Sequence, residues 1–327
     1  MSVSVISFLF TFILSIVLFV FFIPVLRIVK FGQSIRTDGP AKHLKKSGTP
    51  TMGGLIIILG TTISFIYLSI TEIKVSNHDL LLLLIPIMMY GLIGFIDDYL
   101  IVVKKNNKGL SAKTKLFFQI IWAGIYFYLF LDKGMSSKIN CFGLIIDLKW
   151  GYGILILLML VASSNAVNLS DGLDGLASGL MIIGLSAVII LAYYQKNQPV
   201  LIFSLCLLAA ILAFLCYNFN PAKVFMGNTG SLALGATLAN LFILLKMEIL
   251  LIIVGFVFAV EALSVIIQVT YFKITKGKRI FRMAPIHHHY ELIGLNEWEV
   301  DALFWLIGII FAIIGVIIAT KVYEVMI

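Results

Sequence analysis

The chain has 327 residues, of which 61% are hydrophobic and only 12% are charged, with a formal net charge of +8 and a mean hydropathy of +1.08. Soluble domains are about one-quarter charged, so this composition excludes a soluble globular protein and indicates an integral membrane protein. In that class, lysine-rich cytoplasmic loops and anionic lipid explain the positive charge, and no nucleic-acid partner is expected.

Apolar runs long enough to cross a bilayer, about 20 residues each, recur from one end of the chain to the other. The predicted fold is therefore an all-α integral membrane protein, a polytopic bundle of about ten transmembrane helices. The predicted spans are 4–26, 53–70, 80–97, 115–131, 151–168, 174–194, 200–217, 230–246, 249–272 and 302–321. No polar stretch is long enough for a separate domain, so residues 1–327 are expected to form a single transmembrane domain.

Most of the 24 Lys and Arg residues lie in alternate loops. Because positive residues accumulate on the cytoplasmic side, these loops are predicted to be cytoplasmic and both termini to lie outside. The cytoplasmic loops are about 27–52, 98–114, 165–175, 218–230 and 273–301. We expect a multi-pass protein of the cytoplasmic membrane. On the outer side, short alternating segments around Gly143 predict a small β-hairpin from 138–142 and 144–148.

Five segments carry polar residues that an apolar bundle does not need, and all five map to predicted cytoplasmic ends of spans. A random scatter would divide them between the two faces. The convergence therefore predicts a single polar site facing the cytoplasm.

The first segment, 46–54, combines Lys46 with glycines and the hydroxyl of Thr51 at the start of the second span. Glycines permit close backbone approach, and the composition suits a phosphate ligand. The alternative is a basic loop at the membrane edge in which a threonine caps the helix.

The second segment contains Asp97 and Asp98 at the end of the third span. Two carboxylates at a membrane boundary are costly unless they hold a cation or face water. Mg²⁺ is the natural partner, because it takes oxygen ligands and commonly bridges to substrate phosphates. A solvated loop, or ion pairing with Lys104 and Lys105, is the alternative.

The third segment places Asn165, Asn168, Asp171 and Asp174 at intervals of three residues. On one continuous helix these side chains would drift by about 60° per step, so the glycines after the two aspartates predict a turn into the sixth span. An aspartate that caps that span is the alternative, although one cap does not require four polar groups.

The fourth and fifth segments precede the eighth and the tenth spans. Phe225, in the fourth, is an aromatic side chain able to stack on a base, and glycines beside it let backbone amides approach a ligand. His287, His288 and His289 are consecutive, so they cannot readily converge on one metal ion, and we expect them to act as donors beside phosphate. Within the ninth span, Glu261 and Gln268 are expected to face the bundle interior.

Together these segments resemble the polyprenyl-phosphate phosphoglycosyl transferases, and among them the phospho-N-acetylmuramoyl-pentapeptide transferases. The resemblance covers nearly the whole chain. The matching motifs are Thr-Pro-Thr-Met-Gly-Gly, Asp-Asp, Asn-Ala-Val-Asn-Leu-Ser-Asp-Gly-Leu-Asp-Gly, Phe-Met-Gly-x-Thr-Gly-Ser and Ala-Pro-Ile-His-His-His-Tyr-Glu. The triple histidine discriminates best, because relatives that use UDP-N-acetylglucosamine usually carry a different histidine pattern.

The resemblance implies a ten-span homodimer with its site in a cytoplasmic cleft. It implies Mg²⁺ as cofactor, with UDP-N-acetylmuramoyl-pentapeptide and undecaprenyl phosphate as substrates and lipid I and UMP as products. Membrane lipid is the expected environment.

The resemblance also implies residue roles. Asp97 and Asp98 fall on the essential aspartates, and Asp97 is the expected base toward the lipid phosphate. The other implied catalytic residues are Lys113, His287 and His288. The predicted substrate-binding residues are Lys46, Thr51, Asn165, Asn168, Asp171, Asp174, Phe225, Gln268 and His289, with Asp174 and Phe225 in the uridine pocket.

One position departs from the family pattern. The family has an aspartate, its principal magnesium ligand, where this chain has Asn228. The predicted metal set is therefore Asn228, Asp97 and Asp98. An amide keeps one neutral oxygen but lacks the negative charge, so we expect weaker Mg²⁺ binding and slower chemistry.

Three alternatives remain open. A transferase of the same superfamily could use UDP-N-acetylglucosamine. A transporter for anionic lipid would place its site near the bilayer midplane, within internal repeats that are not evident here. Within the transferase reading, the lipid phosphate could attack directly, or an aspartate could attack first and form a covalent phospho-enzyme.

Overall fold

The computed structural model describes residues 3–28, 48–104 and 109–323, and these are mainly helical. In a bilayer the backbone must satisfy its own hydrogen bonds, which is why apolar segments of this length fold as helices. The helices are α1 Val3–Ile28, α2 Gly54–Thr71, α3 Asn77–Lys104, α4 Ala112–Asp132, α5 Gly151–Ser170, α6 Leu176–Tyr194, α7 Gln198–Asn218, α8 Gly227–Leu244, α9 Leu250–Val254, α10 Phe256–Ile274, α11 Ile286–Ile293 and α12 Glu297–Tyr323. The predicted all-α polytopic fold is confirmed.

Nine helices of the described ranges are long and apolar enough to cross a membrane, one fewer than predicted. The predicted eighth span forms α8, which packs against α3 and α5 and has nearly every side chain buried. Because protein rather than lipid surrounds α8, its sequence tolerates polar residues such as Asn240, which donates to the Leu82 carbonyl oxygen at 2.9 Å.

The predicted ninth span is interrupted. It consists of a single-turn helix, α9, and the longer α10, separated at Gly255, whose backbone is not helical (φ −88°, ψ 19°). A side chain at this position would meet the Leu251 carbonyl oxygen at 2.7 Å, so a glycine is required where the chain changes direction.

Glycines also set the distance between the helices at one end of the bundle. A Cβ on Gly54 of α2 would lie 2.1 Å from the Gly230 Cα of α8, and one on Gly94 of α3 would lie 2.1 Å from the Asn228 carbonyl oxygen. Small residues let helix backbones approach closely in membrane proteins. Three helices therefore meet at the first turn of α8.

The predicted outer hairpin is confirmed. Strands β1 (Lys138–Cys141) and β2 (Leu144–Asp147) pair antiparallel, and Phe142 and Gly143 between them both have positive φ angles, of 50° and 98°. A two-residue turn with positive φ at both positions matches the twist of a hairpin.

Candidate active site

Two loops that are far apart in the sequence are joined by backbone hydrogen bonds at the start of α8. The Phe225 amide donates to the Pro50 carbonyl oxygen at 2.8 Å, and the Gly53 amide donates back to the Phe225 carbonyl oxygen at 2.8 Å. The residue preceding α2 is Gly53, which offers no side-chain cap, so the alternative of a threonine cap is not observed. Thr51 is buried beneath this junction.

Asp98 binds the first turn of α8. Its Oδ1 accepts from the Asn228 amide at 3.0 Å, and its Oδ2 accepts from the Thr229 amide at 2.9 Å and the Thr229 hydroxyl at 2.7 Å. A helix N-terminus presents unpaired amides and a partial positive charge, so a buried carboxylate is stabilised there. In this structure Asp98 anchors α8 to α3.

Asp97 faces a different set of donors. Its Oδ2 accepts from Lys115 Nζ at 2.9 Å and from Asn228 Nδ2 at 2.6 Å, and its Oδ1 accepts from the Leu110 amide at 2.6 Å. The Asp97 side chain is only 2% exposed. Asp97 therefore pairs with Lys115. Of the two lysines in the alternative pairing, Lys104 ends α3 and Lys105 lies outside the described residues.

The predicted third span ended at residue 97, but α3 continues to Lys104. Adjacent side chains on a helix diverge by about 100°, so Asp97 and Asp98 do not point in the same direction. Both are nevertheless satisfied, because α8 begins beside Asp98 and the segment leading into α4 passes beside Asp97.

Asn228 links Asp97 to α5. Because a carboxylate only accepts hydrogen bonds, the side-chain nitrogen of Asn228 faces Asp97, and its Oδ1 accepts from Asn168 Nδ2 at 2.6 Å. Asn168 Nδ2 also lies 2.8 Å from the Ser231 hydroxyl. A continuous polar chain, Lys115–Asp97–Asn228–Asn168, thus connects the start of α4 with α3, α8 and α5.

The predicted turn between the fifth and sixth spans is confirmed, because α5 ends at Ser170 and α6 begins after Gly175, which has φ +89°. Asp174 Oδ2 accepts from the Ala222 amide at 3.0 Å, which ties this turn to the loop before α8. The N-cap residue of α6 is Gly175, so neither aspartate caps that helix.

Asp171 lies in the same turn as Asp174, and the charges of Asp98 and Asp174 both act on it. Burial raises the pKa of the Asp171 carboxyl well above its ordinary value, and the negative charges of Asp98 and Asp174 raise it further. A cation or hydrogen-bond donor placed here would relieve this repulsion.

The histidine segment reaches the same turn. His287 Nδ1 lies 3.1 Å from Glu261 Oε2, and both side chains are fully buried. A Cβ on Gly172 would lie 2.4 Å from His287 Nε2, so the imidazole packs directly against the turn. His288 Nδ1 lies 2.7 Å from Glu291 Oε2.

Three predicted substrate residues are engaged by neighbouring protein groups. His289 Nδ1 accepts from the Arg282 amide at 3.1 Å. Gln268 Oε1 accepts from two backbone amides of the loop that follows α10, at 3.1 and 3.0 Å. Asn165 Nδ2 donates to Gln119 Oε1 at 3.2 Å. Their proposed substrate contacts stay predictions.

The remaining predicted residues occupy varied positions. Phe225 is half-buried and Lys113 is exposed, while Lys46 lies outside the described residues. Sequence reasoning missed Lys115 and Thr229, which contact Asp97 and Asp98. Lys113 and Lys115 are two residues apart on α4, so their side chains are rotated by about 200° and face opposite sides of the helix. Only the position of Asp97 shows that Lys115, and not Lys113, pairs with it.

Across residues 3–28, 48–104 and 109–323, no group of three or more His, Cys, Asp or Glu side chains is arranged to hold a metal ion. The predicted metal-site side chains that meet are Asp97 and Asn228, and both carry oxygen. Oxygen donors suit a hard cation such as Mg²⁺, but Asn228 contributes no charge.

Two segments of the chain match known protein families. Residues 80–246 match the family described as Glycosyl transferase family 4, and residues 46–58 match the Phospho-N-acetylmuramoyl-pentapeptide-transferase signature 1. The first match includes Asp97, Asn168 and Asn228, and the second includes Thr51.

Several relatives carry the name phospho-N-acetylmuramoyl-pentapeptide-transferase. The relative from Oceanobacillus iheyensis is 50% identical over 310 residues, which cover 94% of this chain and 95% of the relative. The one from Shouchella clausii is 54% identical, covering 91% of each chain, and the one from Geobacillus thermodenitrificans is 46% identical, covering 97% and 98%. The chain therefore belongs to the phospho-N-acetylmuramoyl-pentapeptide transferase family.

Proposed function

We propose that the chain transfers phospho-N-acetylmuramoyl-pentapeptide from its UDP-activated form to undecaprenyl phosphate, which yields lipid I and UMP for peptidoglycan synthesis. The observation that carries this proposal is the Lys115–Asp97–Asn228–Asn168 chain, which gathers charged and amide groups from four helices. The names and near-complete coverage of the relatives support the substrate pair.

The reaction joins a water-soluble donor to a lipid acceptor, so its site belongs at a membrane boundary. The polar cluster lies at one end of the bundle, among loops whose basic residues favour the cytoplasmic side. We assign the protein to the cytoplasmic membrane with its site facing the cytoplasm. A homodimer is also proposed from the family resemblance, and light scattering of the detergent-solubilised protein tests it.

In the proposed step, an oxygen of the lipid phosphate attacks the β-phosphorus of the nucleotide sugar. The bond between that phosphorus and the bridging oxygen breaks, and UMP leaves with the oxygen. Asp97 accepts the proton of the lipid phosphate, while Lys115, 2.9 Å away, offsets the negative charge that collects around it. The barrier is mainly electrostatic, because two anionic groups must meet.

Magnesium, when bound, would neutralise the diphosphate and its developing charge. Asp97 would hold it, and Asn228 would join Asp97 only with its amide turned, because its nitrogen faces Asp97 in this structure. Asp98 accepts hydrogen bonds from the backbone amides of Asn228 and Thr229, so we propose that it holds the first turn of α8, with Asn228, in place. His287 and His288 are proposed as hydrogen-bond donors to the phosphates, beside the turn that carries Asp171.

Release of UMP from purified protein tests the function. The protein is given undecaprenyl phosphate and either UDP-N-acetylmuramoyl-pentapeptide or UDP-N-acetylglucosamine, with and without Mg²⁺. We expect Mg²⁺-dependent release with the first donor only. Release with the second donor would establish the other transferase, and transport of anionic lipid across vesicles without UMP release would establish a transporter.

A matched pair of variants makes the assay specific. Asp97→Asn removes a carboxylate of the polar chain, and Asp147→Asn removes an exposed carboxylate of β2, bonded to Ser137 at 2.7 Å. We expect Asp97→Asn to lose at least about 100-fold in turnover, as removal of a positioned base does, and Asp147→Asn to retain parental turnover.

A further inference from the structure

Glu261, which has no role in the proposed mechanism, forms a buried pair with His287. Glu261 lies within α10 and His287 in the first turn of α11, and neither side chain is exposed to solvent. The described residues offer no hydrogen-bond partner to Glu261 Oε1 or to His287 Nε2.

The contact determines how the imidazole presents its two nitrogens. A buried carboxylate is costly unless a donor satisfies it, and Nδ1 is the ring nitrogen within reach, at 3.1 Å from Oε2. With its proton on Nδ1, the neutral ring has its lone pair on Nε2, and the protonated ring has a second N–H there.

The position of Nε2 is equally defined. It faces Gly172, where even a methyl group would approach it to 2.4 Å, in the turn that carries Asp171 and Asp174. Buried polar atoms in folded proteins are almost always hydrogen-bonded. An Nε2 directed at this turn with no partner in the described ranges therefore indicates that a ligand supplies one.

We propose that Glu261 is a positioning residue that holds the imidazole of His287 with Nδ1 inward and Nε2 toward substrate phosphate at the 171–175 turn. The inference rests on the proposed function, because it takes a phosphate-bearing substrate as the missing partner of Nε2. Glu261 touches no reacting atom itself. It acts through His287, by orienting the ring so that Nε2 donates to phosphate when both ring nitrogens carry a proton.

The first test determines which ring nitrogen of His287 carries the proton. The protein contains five histidines, so ¹⁵N-histidine labelling in detergent, with His287→Gln for assignment, identifies the His287 signals. We expect the Nδ1–H form of the neutral ring in the parent and in Glu261→Gln, which keeps an acceptor oxygen, and a mixture of the two ring forms in Glu261→Leu. An unchanged His287 signal in Glu261→Leu would overturn the proposal.

The second test uses turnover. We expect the kcat for UMP release to fall by roughly 100-fold in Glu261→Leu and roughly ten-fold in Glu261→Gln, within the range of positioned proton-transfer groups, with KM for the donor changed less than about three-fold. Residues that act as a unit are non-additive. The double variant Glu261→Leu/His287→Ala should therefore be no slower than His287→Ala alone, and multiplied losses would overturn the proposal.

A matched control separates positioning from general loss of structure. Glu248 is also a buried glutamate in an ion pair, 2.8 Å from Lys246, but it lies near the outer hairpin. Glu248→Gln should keep the parental kcat, and a loss equal to that of Glu261→Gln would overturn the proposal. If the parent releases no UMP, the proposed function fails, while the ring measurement still decides whether Glu261 orients His287.

Discussion

The side-chain nitrogen of Asn228 donates a 2.6 Å hydrogen bond to Asp97, at the position where the sequence resemblance implies an aspartate. The amide thus gives Asp97 a neutral partner. A second carboxylate there would repel Asp97 at this distance unless a cation lay between them.

The variant Asn228→Asp should therefore lose the hydrogen bond from position 228 to Asp97 and gain a pair of carboxylates able to bind Mg²⁺. Without divalent cation we expect a lower unfolding temperature than the parent, because the buried Asp97 carboxylate then faces a second, half-buried carboxylate. With Mg²⁺ we expect the unfolding temperature to recover and turnover to rise at least about ten-fold, equivalent to roughly 1.4 kcal/mol of transition-state stabilisation. Thermal unfolding and UMP release, each titrated with Mg²⁺, measure this.

Asn140→Asp is the control for this exchange. Asn140 Oδ1 accepts from the Gly143 amide in the outer hairpin, a bond that a carboxylate also makes. Its response to Mg²⁺ should match that of the parent. An Asn228→Asp protein that gains neither stability nor turnover from Mg²⁺ would contradict the predicted metal role of this position.

Loss of the Lys115 ammonium should impair Asp97. In Lys115→Met the apolar stem stays but the ion pair is removed, which leaves a buried carboxylate short of one donor. Because Lys115 is about one-quarter exposed, solvent screening reduces the loss below that of a fully buried pair, and we expect about a ten-fold fall in turnover.

Lys149→Met, in the outer loop, should leave turnover unchanged. Lys113→Met tests the implied catalytic role of Lys113 in the same assay, and a greater loss in Lys113→Met than in Lys115→Met would show that the exposed lysine is the more important one.

Close packing between α3 and α8 predicts a large effect of a single methyl group. In Gly94→Ala the new Cβ would lie 2.1 Å from the Asn228 carbonyl oxygen, so backbone must move and the Asp98 hydrogen bonds to α8 are strained. We expect a loss of about 1–3 kcal/mol in the free energy of unfolding, measured by thermal or denaturant unfolding in detergent.

Gly124 of α4 supplies the comparison, because no atom lies within 4 Å of a Cβ built there. Alanine is favoured over glycine within a helix by about 0.5–1 kcal/mol, so Gly124→Ala should be neutral or slightly stabilising. Equal destabilisation by both substitutions would show that the α3–α8 contact is not the cause.

The raised pKa of Asp171 predicts how stability depends on pH. The folded state binds this proton more tightly than the unfolded state, so the free energy of unfolding should fall as pH rises from the ordinary carboxyl value of about 3.9 toward the raised folded value. Asp171→Asn removes this contribution. We expect its unfolding temperature to exceed that of the parent at neutral pH and the difference to shrink on acidification.

Asp147 should behave in the opposite sense. The Ser137 hydroxyl and the Lys149 amide lower its pKa, so its contribution is present above the ordinary carboxyl value and is lost as pH falls through the lowered one. Asp147→Asn should therefore give no gain in stability at neutral pH. An Asp171→Asn protein that loses stability there would contradict the repulsion inferred at the 171–175 turn.

The sequence allowed individual site residues to be predicted, but not the partners that they contact. Asp97, Asn168 and His287 were recognisable because polar groups at span ends are costly without a partner. Their actual partners, Lys115, Asn228 and Glu261, are 18, 60 and 26 residues away. Local patterns do not specify these pairings, because each joins residues of different helices and depends on how those helices pack.

The amino-acid sequence by itself determined the all-α membrane fold, the outer hairpin and the segments that carry polar groups, because hydrophobic length and turn chemistry act locally. Only the tertiary structure decided that the predicted eighth span is a buried central helix. It also decided that Asp98 is committed to the first turn of that helix while Asp97 meets Asn228. These outcomes depend on close approach between glycines of different helices, and the energy of such contacts arises only once the helices have packed.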